Sequence, residues 1–526
     1  MDRKWWVLGA VCSGVFMLLL DITIVNVALP SIEHGFSASL SDLQWVISVY
    51  ALTLAAFLLT AGSLADRYGR KLLFAIGVAA FTAASLLCGV ATGSLFLIVA
   101  RAVQGVGGAI MFATSLALLA DAFRGRDRGT AFGIFGAVTG AAVAVGPVLG
   151  GAITSGLSWR WVFFVNLPVG VATFAVTLLR VPESRDPRAA RPDFAGFATF
   201  SLGLAALVLG LIRSTADGWT SPVVTGSLAA SAALLCAFVA VEARSAAPML
   251  DLKLLRVPTF DGGLAAAFAI SASLFSLLTY LVIYVQNILG LSPVATGVRF
   301  LPLTAAIFVT AGVAGRLTSH VPRRALIGPG FALIAVGLLL MRGLTAHSQW
   351  THLLAGMIVA GVGAGLVNVP LVSTAVGVVE PARAGMASGI NSTLRQVGIA
   401  TGVAALGTIF ATHIRSTVTA QLSGSALAAH AAAIAGAVSN GNAGAAIAGT
   451  PAPLRAVVGS AARSGVTASL NLILLVGAVV AIAAAAASLV LIRERDFVAT
   501  EAAEQAGAGP AEPALTVPDS AKEAAP

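Results

Sequence analysis

Long apolar runs separated by short polar segments make up most of this chain, and their lengths decide how it reads. Fourteen stretches are each long enough to cross a hydrocarbon core of roughly 30 Å at about 1.5 Å per helical residue. They fall near residues 5–28, 43–64, 72–93, 95–120, 130–154, 162–180, 194–213, 222–242, 262–285, 297–316, 325–343, 351–376, 385–410 and 467–492. The expected fold class is therefore all-α integral membrane. The first run continues to about Ala28 with an acid inside it and no small-residue cleavage pattern, so it reads as a retained span rather than a signal peptide.

The polar segments set the orientation. With the N-terminus inside, the cytoplasmic segments hold 22 Lys and Arg residues against seven outside, which places both termini in the cytoplasm. Two segments are not spans. Residues 411–466 are Ala/Gly/Ser-rich with Asn440-Gly441-Asn442 inside them, and read as an external loop of weak surface helices or disorder. Residues 497–526, rich in Ala, Glu and Pro, read as a disordered cytoplasmic tail.

Composition agrees with this layout. Of 526 residues 58% are hydrophobic and 10% charged, with mean hydropathy +0.94, where a soluble chain carries about 25% charged residues. The +9 net charge invites a nucleic-acid reading, but the basic residues sit in short loops where they orient the protein, so no nucleic-acid partner is expected. Cys12, Cys88 and Cys236 all lie in apolar stretches and suggest no disulfide framework. The histidines form no metal-ligand spacing. No Gly-x-x-x-x-Gly-Lys-Ser/Thr loop is present, so ATP of that type does not drive the protein, and no cofactor is expected. Gly105-Val106-Gly107-Gly108 lies inside a span and reads as packing. No catalytic constellation appears at membrane depth, and the chain does not read as an enzyme.

Against that apolar background a few polar residues stand out. Asp21 is the one carboxylate well inside an apolar run, and an intramembrane acid is a functional-site candidate by default. Near the outer end of span 1, it lies at about the depth of Arg101 in span 4, so the two meet if those helices pack together. Burial disfavours a charged acid and an adjacent guanidinium favours it. A proton-exchanging acid and a static buried ion pair both fit. The loop Gly62-Ser63-Leu64-Ala65-Asp66-Arg67-Tyr68-Gly69-Arg70-Lys71 stands at the cytoplasmic mouth. There Gly62 and Gly69 permit tight backbone approach, and Asp121 at the end of span 4 is placed to pair with Arg70. Its second-half echo, 315–324, has Ser319 where Asp66 stands. That echo, with Ile98-Val99-Ala100-Arg101 against Ile358-Val359-Ala360-Gly361, relates spans 1–6 to spans 9–14 and leaves spans 7 and 8 as an insertion. Such repeats are the trace of alternating-access transporters.

Span 5 carries Gly136, Gly140, Gly146, Gly150 and Gly151 around Pro147, a pattern for close helix packing with a bend. In span 13, Arg395 and Gln396 are a second polar intrusion, with substrate or gating involvement and a structural hydrogen bond equally open. Asn26, Tyr50, Gln104, Asn368 and Asn391 are cavity candidates that also suit helix–helix hydrogen bonds.

These motifs, in this order, resemble the major facilitator superfamily, and within it the fourteen-span drug:proton antiporters of the EmrB/QacA kind. The resemblance runs from about residue 15 to 495. It is carried by the stretch Leu20 to Pro30, the loop 62–71, Arg101-x-x-Gln104-Gly105, Gly140 with Gly146-Pro147-x-x-Gly150-Gly151, Trp159-Arg160-Trp161 with Asn166-x-Pro168, and Tyr284-Val285-Gln286 through Leu301-Pro302. It implies two six-helix bundles, 1–193 and 262–496, with two inserted helices in 194–261. It also implies that Asp21 and Arg101 couple protons, that Asp66, Arg67, Arg70, Lys71 and Asp121 latch the inward gate, and that the span 5 glycines mark an exporter.

The expected function is proton-coupled export of a hydrophobic drug or antibiotic from a bacterial cytoplasmic membrane. Its partners would be protons, the lipid bilayer and, only in a two-membrane cell, a periplasmic adaptor. Without a further spanning acid, dicationic drugs are expected to be poor substrates, and neutral, monocationic or anionic compounds are expected to be preferred. Arg-over-Lys and Ala/Gly-rich usage fits a GC-rich bacterial genome, which keeps a dedicated secondary-metabolite exporter as the alternative. A non-transporting membrane sensor or lipid-handling enzyme would need a soluble domain or buried catalytic group, and the sequence shows neither.

Overall fold

Backbone N–H and C=O groups find no water in hydrocarbon, so a chain this apolar must satisfy them within each segment, and helices do so. The computed structural model describes residues 2–123, 126–185, 193–245, 248–318, 321–379, 384–439 and 443–497, and every regular element among them is helical. The first half holds α1 (Arg3–Phe36), α2 (Leu40–Tyr68), α3 (Arg70–Gly89), α4 (Ser94–Ala122), α5 (Arg126–Gly156), the short α6 (Trp161–Phe164) and α7 (Asn166–Arg180). The inserted pair is α8 (Phe194–Asp217) and α9 (Pro222–Glu242). The ninth span joins α10 (Pro258–Ile270) to α11 (Ser276–Ile283) through a π turn, Ser271–Phe275, and ends in a second, Tyr284–Ile288. Then come α12 (Pro293–Leu317), α13 (Arg324–Leu340), α14 (Thr351–Gly377), α15 (Ala384–Leu422), α16 (Ala431–Ser439), α17 (Ala443–Ala448) and α18 (Arg455–Leu491).

Each of the fourteen expected stretches is helical, but fewer meet the length and apolarity of a span. Among the described residues twelve helices do so, and α5 makes a thirteenth when its arms Ile134–Ala142 and Val145–Gly156, bent by 41°, count as one. The bend has a cause: Pro147 has no N–H for the carbonyl four residues earlier, at 143. α13, at 17 residues, is shorter.

Three boundaries move. α1 continues eight residues past Ala28, through Pro30, so Asp21 sits near its middle and not near its outer end. α15 and α18 both extend into the expected external loop 411–466, leaving 423–454 between them. Alanine is the strongest helix former, and the Ala-rich composition here makes helix rather than loop. Ala431, Ala435 and Val438 of α16 are buried against the second-half core. Residues 440–442 lie outside the described residues. So does the expected tail, apart from Phe497, whose ring centre is 3.8 Å from the Arg323 guanidinium carbon.

The faint sequence repeat is a packing repeat. α4 packs on α2 and α3, and α14 packs on α12 and α13. The crossings use the same device. A side chain at Gly107 would meet the Phe81 backbone nitrogen at 2.5 Å, and one at Gly337 would meet the Ala360 backbone nitrogen at 2.5 Å. The halves carry separate apolar cores, one around Phe74, Phe81 and Met111, the other around Phe331, Leu338 and Leu470.

Two seams join the halves, α2 against α15 and α5 against α12. α8 lies over the first, where Leu204, Val208 and Ile212 pack with Ala51, Leu52 and Ala55 of α2 and Val397, Ala400 and Ala404 of α15. At the end of the bundle where α1 turns into α2 the closure is dense. Gln286 Nε2 donates to the Val27 carbonyl at 2.9 Å, Asn287 Nδ2 to Glu33 Oε2 at 2.9 Å, and Val294 N to Ser155 Oγ at 3.1 Å.

The span 5 glycines make that closure possible. Gly146 faces Thr23 of α1, and Gly150 leaves 2.9 Å between a would-be Cβ and the Ile24 carbonyl oxygen. Gly151 abuts the Pro293 carbonyl, while Gly297 abuts the Pro147 carbonyl in return. Gly140 stands 3.2 Å from Phe308 by the same measure. Backbone cannot move aside as a flexible side chain can. Gly151→Val is therefore expected to cost about 1–3 kcal/mol of stability through overpacking. Gly62→Ala, where a Cβ meets no atom within 4 Å, is expected to cost little. Melting of the two purified variants in detergent checks the difference; equal melting temperatures would remove the backbone contact as the constraint.

Candidate functional site

The site begins with how closely α2 and α4 approach. Gly105 removes the side chain that would meet the Tyr50 carbonyl oxygen at 2.5 Å. This lets Arg101, one turn earlier on α4, lay its guanidinium 4.0 Å from the Tyr50 ring centre and donate from Nε to the Val46 carbonyl at 3.3 Å. From α1, Asp21 reaches the same point and accepts from Arg101 Nη1 through Oδ2. Asp21 is 0% exposed and Arg101 2%.

Neither charge relies on the other alone. Asp21 Oδ1 accepts from Gln104 Nε2 at 2.9 Å and from Asn166 Nδ2 at 3.3 Å. Gln104 Oε1 accepts from Arg101 Nη1 at 2.6 Å. Ser85 Oγ accepts from Gln104 at 3.0 Å and from Asn166 at 2.9 Å, and donates to the Phe163 carbonyl at 3.1 Å. Three donors converge on the carboxylate, the arrangement an acceptor-only ionised acid requires. Removing one partner from a buried pair costs roughly 3–5 kcal/mol, because the remaining charge is stranded. Here α1, α3, α4 and α7 all contribute to preventing that.

The sequence expectation that Asp21 and Arg101 meet is realised, and Gln104 joins them as a member of the network, not of a cavity wall. Two members were missed. Asn166 was noted only within an Asn-x-Pro motif, and its position in an apolar run is the signal that would have singled it out. Ser85 offers no such signal, since a lone serine in a helix acquires a role only from what it faces.

A small cavity adjoins the network between α1, α2, α4 and α15. Ile22, Ile47, Tyr50, Arg101, Gln396 and Ile399 line it. Tyr50 and Gln396, both expected at a substrate cavity, line this water-sized one, and Tyr50 Oη and Gln396 Oε1 have no hydrogen-bond partner among the described residues. Asn26 is elsewhere: it accepts from Thr279 Oγ1 at 3.2 Å and ties α1 to α11. Arg395 donates from Nη2 to Asn368 Oδ1 on α14 at 2.8 Å, and Asn391 is buried with its Nδ2 unpartnered among the described residues.

The loop 62–71 differs from expectation in its partners. Arg70 binds Asp66, with Nε to Oδ1 at 2.9 Å, and does not bind Asp121, which is exposed. Gly62 sits within α2 with no close neighbour to accommodate. Gly69 is the constrained glycine: its φ of 126° is open to few other residues, and the Glu183 carboxylate fills the space beside it. Glu183, which the sequence did not suggest, accepts from the backbone N–H groups of Lys71 at 3.0 Å and Leu72 at 3.2 Å. It caps the free donors at the start of α3. Lys71 Nζ donates to the Leu178 carbonyl at 2.9 Å, and Arg67 lies 5.9 Å from the Tyr68 ring centre. The loop is therefore clamped to the end of α7.

Comparison with known proteins bears on this arrangement. The family description "Major Facilitator Superfamily" matches residues 11–403. The chain is 37% identical over 411 residues to the multidrug resistance protein Stp of Mycobacterium tuberculosis, covering 78% of this chain and 76% of that one. It is 38% identical over 414 residues to a puromycin resistance protein of Streptomyces alboniger, covering 77% and 82%. It is 35% identical over 424 residues to the tetracenomycin C resistance and export protein of Streptomyces glaucescens, covering 78% and 77%. Among solved structures, a bacterial homolog of the human lysosomal transporter Spinster in an inward-facing, occupied conformation superposes with a TM-score of 0.61 at 15% identity. That match covers 95% of this chain and 99% of the other, and shows a shared fold. With three quarters of its length matched by the family and its buried polar residues held between the packed helices of that fold, this chain belongs to the Major Facilitator Superfamily.

Proposed function

We propose that this protein is a proton-coupled antiporter that exports hydrophobic small molecules, drugs or antibiotics, from the cytoplasm or inner leaflet. In this reading it is a fourteen-span member of the EmrB/QacA-like group in a bacterial cytoplasmic membrane, with both termini inside. It uses the proton gradient, not ATP, and catalyses no covalent chemistry. The observation that carries the reading is the fully buried Asp21, held by Arg101, Gln104 and Asn166 beside a cavity. Resistance and export proteins among the relatives supply the direction and the class of cargo.

The geometry suggests how the exchange runs. A proton entering from outside neutralises Asp21, and its hold on Arg101 weakens. Arg101 is not stranded, because Gln104 Oε1, the Val46 carbonyl and the Tyr50 face remain. That makes both protonation states tolerable in one fold. The outer contacts of Val27, Glu33 and Ser155 with the second half, together with latch charges satisfied locally, fit an inward-facing state that loads cargo from inside. The two six-helix bundles, 1–193 and 262–496, then rock about the α2–α15 and α5–α12 seams, with α8 packed over the first of them and α9 on α8.

A second reading, dedicated export of one endogenous metabolite, is favoured by a relative described as a tetracenomycin C resistance and export protein. Breadth of the cargo panel separates the two.

Cells expressing the protein are expected to accumulate less of a fluorescent drug than control cells, and an uncoupler should abolish the difference. Asp21→Asn should accumulate drug to the control level at normal membrane abundance. Wild-type efflux that ignores the uncoupler would exclude proton coupling. Asn166→Ala removes one of three donors and leaves two, so its efflux is expected to fall between wild type and Asp21→Asn; efflux equal to wild type would take Asn166 out of the coupling network.

A further inference from the structure

We infer that Arg395 is the recognition point for an anionic oxygen group on the exported molecule, so that the cargo includes amphipathic organic anions. This rests on the export reading above and adds the charge class of the cargo.

Two arginines lie at depth in the spans, and they are treated differently. Arg101 has Asp21. Arg395 pairs with no acid among the described residues; its one hydrogen bond is to the neutral Asn368 Oδ1 at 2.8 Å. A guanidinium carries five N–H donors in a planar fork, so this bond leaves most of them free. An amide at position 395 would serve a purely structural bond to Asn368 without bringing a charge into the membrane. Eleven residues into α15, Arg395 lies about 16 Å from the cytoplasmic start of that helix. An intramembrane charge at that depth is costly and is kept where it has a function.

Its neighbours extend the same chemistry. Asn391 is one turn earlier on the same face, 3% exposed, and its Nδ2 has no partner. The next residue, Gln396, lines the cavity with Arg101 and Tyr50, and the Tyr50 hydroxyl is also unpartnered. Asp21 and Arg101 cancel, so Arg395 leaves the interior of these spans with a net positive charge, whose field is strong in low-dielectric surroundings. A carboxylate or ionised phenol matches the free fork in charge and in planar geometry. A cation meets only repulsion there.

The test uses purified full-length protein and matched compounds: anthracene-9-carboxylate with anthracene-9-carboxamide, and a second pair built on naphthalene. Binding is read by thermal shift in detergent, and transport by uptake into proteoliposomes under an imposed pH gradient. The carboxylates are expected to bind wild type more tightly than the carboxamides. Arg395→Gln, which keeps a bond to Asn368 possible, should weaken carboxylate binding about 10- to 100-fold, the loss of one charge-assisted hydrogen bond. It should leave carboxamide binding within about twofold, while Arg395→Lys retains much of the carboxylate preference. Equal weakening of both members of a pair, no weakening, or no preference for carboxylate in wild type would each overturn the site. Arg395-dependent carboxylate binding without gradient-driven transport would uphold the site and refute the export reading. Gradient-driven carboxamide transport with no carboxylate preference would do the reverse.

Discussion

An ionised carboxylate placed in hydrocarbon must be met by donors from several directions at once, and in this protein the first helical bundle supplies them at Asp21. Arg101 and Gln104 come from α4, Asn166 from α7, and Ser85 on α3 orients both amides. Four helices are thereby held in fixed rotation about one side chain. Their approach is permitted by small residues, above all Gly105 against the Tyr50 backbone and Gly107 against Phe81. The polar centre and the glycine crossings are two sides of one arrangement. Without the close crossings the donors would not reach, and without the acid the approach would have no polar outcome.

The second half repeats the scaffold without that centre. α13 crosses α14 as α3 crosses α4, with glycines at the contact, and its core is the larger of the two. Its charge deep in a span is Arg395, answered among the described residues by an amide. The two halves share what packing needs, which is shape, while their polar positions differ. The result is asymmetric electrostatics in a nearly symmetric frame. The first half holds a compensated ion pair, and the second an arginine bonded to an amide.

The seam between the halves is built from backbone proximity on one side and small polar contacts on the other. Along α5 and α12, Gly151 and Gly297 bring each helix against the other's proline carbonyl. Along the first and ninth spans, Asn26, Gln286 and Asn287 hydrogen-bond across. The π turns at Ser271–Phe275 and Tyr284–Ile288 lie in that ninth span, where a helix gives up regular bonding and gains local adjustability. The neutral hydrogen bonds among these each contribute about 1 kcal/mol, and one to a carboxylate such as Glu33 about 1.5–3 kcal/mol when it is ionised. A closure made of several such contacts is firm collectively and separable piecewise, which suits an interface that opens and closes.

Hydropathy alone marked the helices: each of the fourteen apolar stretches is helical, because a twenty-residue apolar run has one way to satisfy its backbone in lipid. The meeting of Asp21 with Arg101 and the role of the span 5 glycines were also legible, since charge in oil and small residues four apart carry their physical meaning with them. The length of α1 beyond Ala28 was not, because Pro30 and the polar residues after it read as an end, and neither were the extensions of α15 and α18, because Ala/Gly/Ser-rich sequence reads as loop by composition while its alanines favour helix. What only the tertiary structure decided is which polar residues face one another. A helix turns about 100° per residue, so Gln104 joins the acid while Asn26 turns to α11, and Ser85 and Glu183 gain their roles from neighbours 81 and about 110 positions away. Sequence order records the elements, and their mutual rotation, set by packing, selects the contacts.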